Sequence, residues 1–75
     1  MNLEEIRAIL LPHLKGKTVS DDTPLVSGGL IDSMTIVDLI VDLSDRFDVE
    51  IPASEVTPED FDSVRKILAT LTRFR

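Results

Sequence analysis

The sequence predicts a small all-α protein: a bundle of three main helices and one short helix, with a long loop between the first two main helices. Apolar residues recur at helical spacing in three separate segments, and no strand-like run is long enough to build a sheet. A length of 75 residues predicts one domain, residues 1–75. Such a chain buries only about 60–65% of its unfolded surface, so we expect a small core without a deep substrate cavity.

The first helix is predicted from four apolar residues that are spaced for one helical face: Leu3, Ile6, Leu10 and Leu14. Asn2 and Glu5 resemble a capping box at its start, and Gly16 is a natural stop. Pro12 removes a backbone hydrogen bond and crowds the preceding turn. We therefore expect the helix either to kink at Pro12 or to end near Leu11 and resume as a short turn.

A long loop is predicted for residues 16–31, where turn and helix-breaking residues dominate. Four apolar residues within this loop should pack onto the core: Leu25, Val26, Leu30 and Ile31. Gly28 and Gly29 permit a sharp bend just before the second helix. Asp21 and Asp22 are interpreted as a solvated pair.

The second helix is predicted from Ser33 to Phe47, with Asp32 as its N-cap. Its apolar residues fall into two groups when they are projected at about 100° per residue. The first group forms one broad arc: Ile36, Leu39, Ile40, Leu43 and Phe47. The second group lies about a third of a turn away: Met34, Val37 and Val41. Three carboxylates lie beside the second group: Asp38, Asp42 and Asp45.

We expect the first group to be buried and the second to remain partly exposed. An apolar surface edged by charge is typical of a docking site for partner proteins. The alternative is that the long loop covers the second group.

The remainder of the chain predicts a short helical turn and a final helix. The turn falls between Ser54 and Asp60, with Thr57 as its cap and Pro58 at its first position. Asp62 is predicted to cap the final helix. The apolar face of that helix consists of Val64, Ile67, Leu68, Leu71 and Phe74. Its opposite face carries Arg65, Lys66 and Arg73.

The net charge of −6 is concentrated in the middle of the chain. Residues 21–62 contain twelve acidic residues and one basic residue, Arg46, which leaves −11 for that segment. This charge argues against nucleic acid and anionic membranes as partners and favours proteins with basic patches. There is no cysteine, no signal-like N-terminus and no apolar run long enough to span a membrane. We expect a cytoplasmic monomer.

Catalytic chemistry has little support in the sequence. His13 is the only histidine and no cysteine is present, so a nucleophilic triad and a histidine- or cysteine-based metal site are excluded. The acidic residues of the second helix lack the spacing of a calcium loop. We therefore expect no catalytic residue and no metal site, and we interpret His13 as a structural or surface residue.

Ser33 is the best candidate for a functional residue. A serine at a helix start is most often a capping or first-turn residue. Ser33, however, follows a glycine-containing loop, so its hydroxyl should be reachable, and it borders the second apolar group of the helix. A phosphate ester at this position would meet free N–H groups and the positive end of the helix dipole. Both interpretations remain open at this point.

Three segments together resemble the acyl carrier protein family, over a region from about Leu25 to Leu71. The first segment is Gly29-Leu30-Ile31-Asp32-Ser33-Met34, which is followed by an apolar and acidic helix. The second is Arg46-Phe47-Asp48-Val49-Glu50-Ile51-Pro52, and the third is Phe61-Asp62-Ser63-Val64. The chain departs from the family pattern at Met34, where leucine is commoner, and at Pro12.

The resemblance implies a non-enzymatic carrier. Ser33 would be esterified with 4′-phosphopantetheine from coenzyme A by a phosphopantetheinyl transferase, whose magnesium ion Asp32 would help to hold. The thiol of the arm would hold an acyl or aminoacyl group as a thioester. Partner enzymes would contact the apolar group Met34, Val37 and Val41 and the carboxylates Asp38, Asp42 and Asp45.

The cargo and the pathway remain open. An adenylating ligase or an acyltransferase would load the carrier, and condensing or transfer enzymes would unload it. The pathways that fit are fatty acid, polyketide and nonribosomal peptide synthesis and D-alanyl or aminoacyl transfer. The rival hypothesis is an unmodified acidic adaptor or regulatory subunit that binds basic partners through the second helix.

Overall fold

Three α-helices joined by loops and 3-10 turns form the structure, a computed structural model that covers all 75 residues. The α-helices are α1 (Leu3–Leu10), α2 (Ser33–Phe47) and α3 (Val64–Phe74). The 3-10 turns are Leu11–Leu14, Ala53–Glu55 and Pro58–Phe61. The all-α class and the long first connection are confirmed, and α2 has the predicted bounds. None of the helices combines the length and the apolar character needed to cross a bilayer.

The end of α1 shows how the chain accommodates Pro12. The α-helix stops at Leu10, and a 3-10 turn continues to Leu14. This is the second of the two expected outcomes. Lys15 and Gly16 then take left-handed backbone angles, with φ of 54° and 86°, and end the segment. At the other end of α1, Asn2 Oδ1 accepts the backbone N–H of Glu5 at 2.9 Å, as predicted for a cap.

The helical turn predicted with Thr57 as its cap and Pro58 at its first position is present as a 3-10 turn over Pro58–Phe61. A further 3-10 turn, Ala53–Glu55, precedes it and was not predicted. A proline disfavours the α conformation of the residue before it, and Thr57 is extended, with φ −122° and ψ 164°. One continuous helix cannot pass through that residue, so the segment divides at Thr57.

The cap of α3 is Ser63, so the prediction that Asp62 caps this helix was wrong. Ser63 is extended, and its Oγ accepts the N–H of Lys66 at 3.1 Å. Asp62 lies in the α region, with φ −78° and ψ −6°, at the end of the preceding 3-10 turn. Its carboxylate accepts hydrogen bonds from the long loop instead, at Val26 and Ser27.

The long loop is attached to α1 and α3 by ion pairs. Asp22 Oδ1 accepts Nε of Arg65 at 2.8 Å, and this hydrogen bond lowers the pKa of Asp22. Asp21 Oδ1 is buried and lies 3.2 Å from Nη2 of Arg7. The two groups form an ion pair, but their geometry is not that of a hydrogen bond. The backbone carbonyl of Asp21 accepts the N–H of Arg65 at 3.0 Å. The interpretation as a solvated pair was therefore wrong for Asp21, whose Oδ1 is buried, whereas Asp22 remains exposed beside Arg65.

The core contains side chains from every α-helix and from both long connections. Phe61 is the largest side chain that is fully buried. The α2 residues Ile36, Leu39 and Leu43 are buried, whereas Ile40 and Phe47 of the same arc are partly buried. The complete core is Ile6, Leu10, Leu14, Leu25, Ile31, Ile36, Leu39, Leu43, Val49, Ile51, Phe61, Val64, Ile67 and Leu71.

Truncation of Leu43 should test the rotational phase of α2. Leu43 is fully buried, so Leu43→Ala should reduce the free energy of unfolding by about 2–4 kcal/mol through lost burial and a residual cavity. Val41→Ala is the matched control, because it truncates an exposed residue of the same helix and should cost less than about 0.5 kcal/mol. Urea denaturation measures both values. Equal losses for the two variants would contradict the observed phase.

Candidate functional site

Ser33 is the first residue of α2, and its side chain is exposed. The preceding residue, Asp32, is extended and caps the helix, as predicted. Oδ1 of Asp32 accepts both the backbone N–H and the hydroxyl of Thr35, each at 2.9 Å. The backbone hydrogen bond from Thr35, followed by the bond from its hydroxyl, lowers the pKa of Asp32. Oδ1 accepts both of these hydrogen bonds, and Oδ2 takes part in neither.

The turn before Ser33 has a specific backbone conformation. The carbonyl of Leu25 accepts the N–H of Leu30 at 2.8 Å and the N–H of Ile31 at 3.0 Å. A Cβ atom at Gly28 would lie 2.3 Å from the carbonyl oxygen of Pro24, so no side chain fits there. Gly29 has a φ of 77°, which favours glycine. The two glycines therefore permit the sharp bend that was predicted.

An open apolar strip, consisting of Met34, Val37 and Val41, runs along α2 from the Ser33 end. These side chains are 75%, 57% and 55% exposed, respectively. The long loop does not cover them, although its own apolar residues Leu25 and Ile31 are buried. The structure thus separates the two apolar groups of α2 as predicted, with one in the core and one at the surface.

The three predicted partner carboxylates, Asp38, Asp42 and Asp45, are all exposed on α2. They are not equivalent, because Asp42 Oδ2 lies 2.7 Å from Nε2 of His13. Asp38 and Asp45 form no ion pair within the chain. His13 is therefore a structural partner of α2. No local pattern could have revealed this pairing, since the two residues are 29 positions apart.

An apolar depression of about 150 Å³ opens beside Ser33, between α2 and the two 3-10 turns of residues 53–61. Local sequence patterns do not reveal this depression, because one of its walls depends on how residues 53–61 fold. Its lining residues are Ser33, Ile36, Val37, Ile40, Ala53, Val56, Thr57, Pro58 and Phe61.

These features fit a phosphate ester with an organic arm. The phosphate would lie at the N-terminus of a helix, where unpaired backbone N–H groups and the helix dipole favour negative charge. The exposed hydroxyl of Ser33 gives an enzyme access, and the adjacent depression offers apolar surface for the group beyond the phosphate.

A three-helix bundle with an accessible serine at the start of its second helix is the architecture of a small carrier protein. The family model for the phosphopantetheine attachment site matches residues 4–71. The chain belongs to this family, whose covalent cofactor is 4′-phosphopantetheine, and it is a carrier rather than an enzyme.

Relatives in sequence and in structure agree with this assignment. The D-alanyl carrier protein of Streptococcus sanguinis is 38% identical over 68 residues, which cover 88% of this chain and 86% of that protein. The D-alanyl carrier protein of Lactobacillus acidophilus is 37% identical over 62 residues, covering 80% and 78%, respectively.

A solved structure from Bradyrhizobium japonicum contains a similar chain. It is the crystal structure of a glycine:[carrier protein] ligase complexed with its cognate carrier protein and an analogue of glycyl adenylate. The similarity has a TM-score of 0.69 and 31% identity, and it covers 95% of this chain and 91% of the matched chain. The ligase complex with the glycylated carrier protein gives a TM-score of 0.67 at 32% identity, covering 91% and 90%, respectively.

The lowered pKa of Asp32 predicts a dependence of stability on pH. A carboxylate whose pKa is lower in the folded state contributes stability above its ordinary value of 3.8 and loses that contribution as pH falls through the folded-state value. Asparagine also caps helices well but carries no charge. Wild type should therefore be more stable than Asp32→Asn at neutral pH, and the difference should shrink below about pH 4. Urea denaturation over a pH series measures it, and a difference that stays constant down to about pH 3 would contradict the assignment.

Proposed function

We propose that Ser33 carries the phosphopantetheine arm and that the chain is an aminoacyl carrier loaded by an adenylate-forming ligase. The observation that carries the proposal is the exposed hydroxyl of Ser33 at the first position of α2, within the region that the family model matches. When attached, the arm supplies a thiol that holds an acyl or aminoacyl group as a thioester. This source of sulfur suits a chain that contains no cysteine.

The residues around Ser33 have separate tasks in this scheme. Asp32 fixes the helix start through Oδ1 and leaves Oδ2 to help the transferase hold its magnesium ion. The N-terminus of α2 stabilises the phosphate through its backbone N–H groups and dipole. The chain itself performs no bond-making step. It presents the hydroxyl and then the loaded arm to enzymes that do.

The proposal of a small aminoacyl cargo has two independent supports. The depression beside Ser33 has a volume of about 150 Å³, whereas sites that enclose a larger ligand usually measure about 300–1,000 Å³. It therefore offers little cover for a long acyl chain. The second support comes from the relatives, which include D-alanyl carrier proteins and a carrier protein that is glycylated in its complex with a ligase.

Partner enzymes would dock on α2 around the open apolar strip. Met34, Val37 and Val41 supply exposed apolar surface, and Asp38 and Asp45 supply carboxylates without an internal partner. Such a surface suits enzymes with an apolar patch edged by arginine and lysine. The partners are a phosphopantetheinyl transferase, the ligase and a downstream transfer enzyme. The carrier would act as a monomer in the cytoplasm, because the strip must stay free for these enzymes and the transferase draws on coenzyme A.

Modification of Ser33 can be tested by intact mass. The protein is incubated with coenzyme A, magnesium and a broad-specificity phosphopantetheinyl transferase. We expect a mass gain of one phosphopantetheine for wild type and none for Ser33→Ala. Ser54→Ala is the control, because it removes another exposed serine hydroxyl and should not affect the gain. An unmodified wild-type protein would favour the adaptor hypothesis instead.

The cargo is tested on the modified protein with adenylate-forming ligases and a panel of amino and fatty acids. We expect loading with a small amino acid such as glycine or D-alanine. Loading with long-chain fatty acids alone would contradict the aminoacyl assignment but leave the carrier function intact.

The docking surface predicts a separation of function from stability. Val41 is exposed, so Val41→Asp should change the free energy of unfolding by about 0.5 kcal/mol or less. The same change places a charge on the open strip, at the end farther from Ser33, so turnover of the carrier by its transferase should fall. Steady-state kinetics and urea denaturation measure the two effects. A large loss of stability, or unchanged turnover, would show that Val41 is not part of a docking surface.

A further inference from the structure

Asp62, which lies two residues before α3, binds the loop that leads to Ser33. Its Oδ1 accepts the backbone N–H groups of Val26 at 2.7 Å and Ser27 at 2.8 Å. Its Oδ2 accepts the hydroxyl of Ser27 at 2.9 Å. Its backbone carbonyl accepts the N–H of Leu25 at 2.7 Å. Four hydrogen bonds thus attach three consecutive loop residues to a single residue outside the loop.

The same loop residues form hydrogen bonds with the residues that lie just before α2. Leu25, which is fully buried, accepts the N–H groups of Leu30 and Ile31 on its carbonyl. Val26 accepts the N–H of Gly29 at 3.1 Å. Ile31 directly precedes the Asp32-Ser33 pair. A continuous set of hydrogen bonds therefore runs from Asp62 through residues 25–30 to Ile31, two residues before Ser33.

Nothing else in the structure explains the position of the Asp62 carboxylate. Ser63 caps α3, so Asp62 is not needed for that task. The pKa of Asp62 is lowered, chiefly by the backbone hydrogen bond from Ser27 and next by the bond from its hydroxyl. The carboxylate is thus ionised at neutral pH, as three convergent donors require.

We propose that Asp62 is a positioning residue for the modification of Ser33, because it holds residues 25–31 in the conformation that a phosphopantetheinyl transferase recognises. This inference rests on the proposed function of Ser33. Asp62 would not contact the reacting atoms. It acts through the loop, and its loss would leave the hydroxyl intact on a turn that samples several conformations.

The expected kinetic signature is a change in KM rather than in kcat. When only a fraction of the substrate protein is competent to bind, its apparent affinity falls by that fraction. Asp62→Ala removes all three side-chain bonds, and we expect it to raise the KM of the transferase for this protein about fivefold or more, with kcat within about twofold. Amide hydrogen exchange at Val26, Ser27, Leu30 and Ile31 should accelerate in the same variant.

Two further variants separate positioning from general stability. Asp62→Asn keeps an oxygen for the two N–H groups, and its amide can donate to the Ser27 hydroxyl, so it should restore most of the wild-type KM. Ser63→Ala removes the cap of α3 but leaves the Asp62 side-chain bonds in place. It should lower the thermal midpoint without raising the KM.

The outcomes divide clearly. A raised KM for Asp62→Ala, restored by Asp62→Asn and absent in Ser63→Ala, supports the inference. A wild-type KM for Asp62→Ala, or equal increases in Asp62→Ala and Ser63→Ala, overturns it while the proposed function stands. If wild type itself gains no phosphopantetheine, the proposed function fails and the inference fails with it.

Discussion

Helix α2 has two apolar surfaces, and only one of them packs into the core. The fold and the candidate site both depend on this division. Ile36, Leu39 and Leu43 are buried between the other helices and the loops, and their burial holds α2 in the bundle. Met34 and Val41 lie on the other surface and stay in solvent. A small domain has few apolar side chains with which to build its core. A contiguous group of them at the surface therefore indicates an interaction site. Here they extend from the serine at the start of the helix.

The second constraint is the path of the long loop. Its apolar residues Leu25 and Ile31 are buried, and its backbone donates hydrogen bonds to Asp62, just before α3. The loop is therefore an ordered support for the Asp32-Ser33 turn. The exposed carboxylates Asp38, Asp42 and Asp45 add negative charge along α2, which under the proposed function would attract basic partners. Contact between His13 and Asp42 fixes one of these carboxylates within the chain.

The sequence predicted the parts that depend on local signals. Helix α2 has the bounds that its Asp32 cap and its apolar period indicated, and the exposed strip followed from the same projection. The cap of α3 could not be chosen locally, because Asp62 and Ser63 are equally good capping residues. Only the contact of Asp62 with Ser27, 35 positions away, assigns each its role. The His13–Asp42 pair and the depression beside Ser33 were missed for the same reason, since both join distant segments.

Under the proposed function, the Ser33 end of α2 and the open strip form the surface that modifying enzymes contact. Methyl-resolved NMR of the protein, titrated with a phosphopantetheinyl transferase in the absence of coenzyme A, detects such contact residue by residue. We expect the methyl signals of Met34, Val37 and Val41 to shift or broaden, while those of Leu39 and Leu43 do not. Perturbations confined to the exposed face of α3, or signals of the open strip that remain unchanged at saturating enzyme, would contradict it.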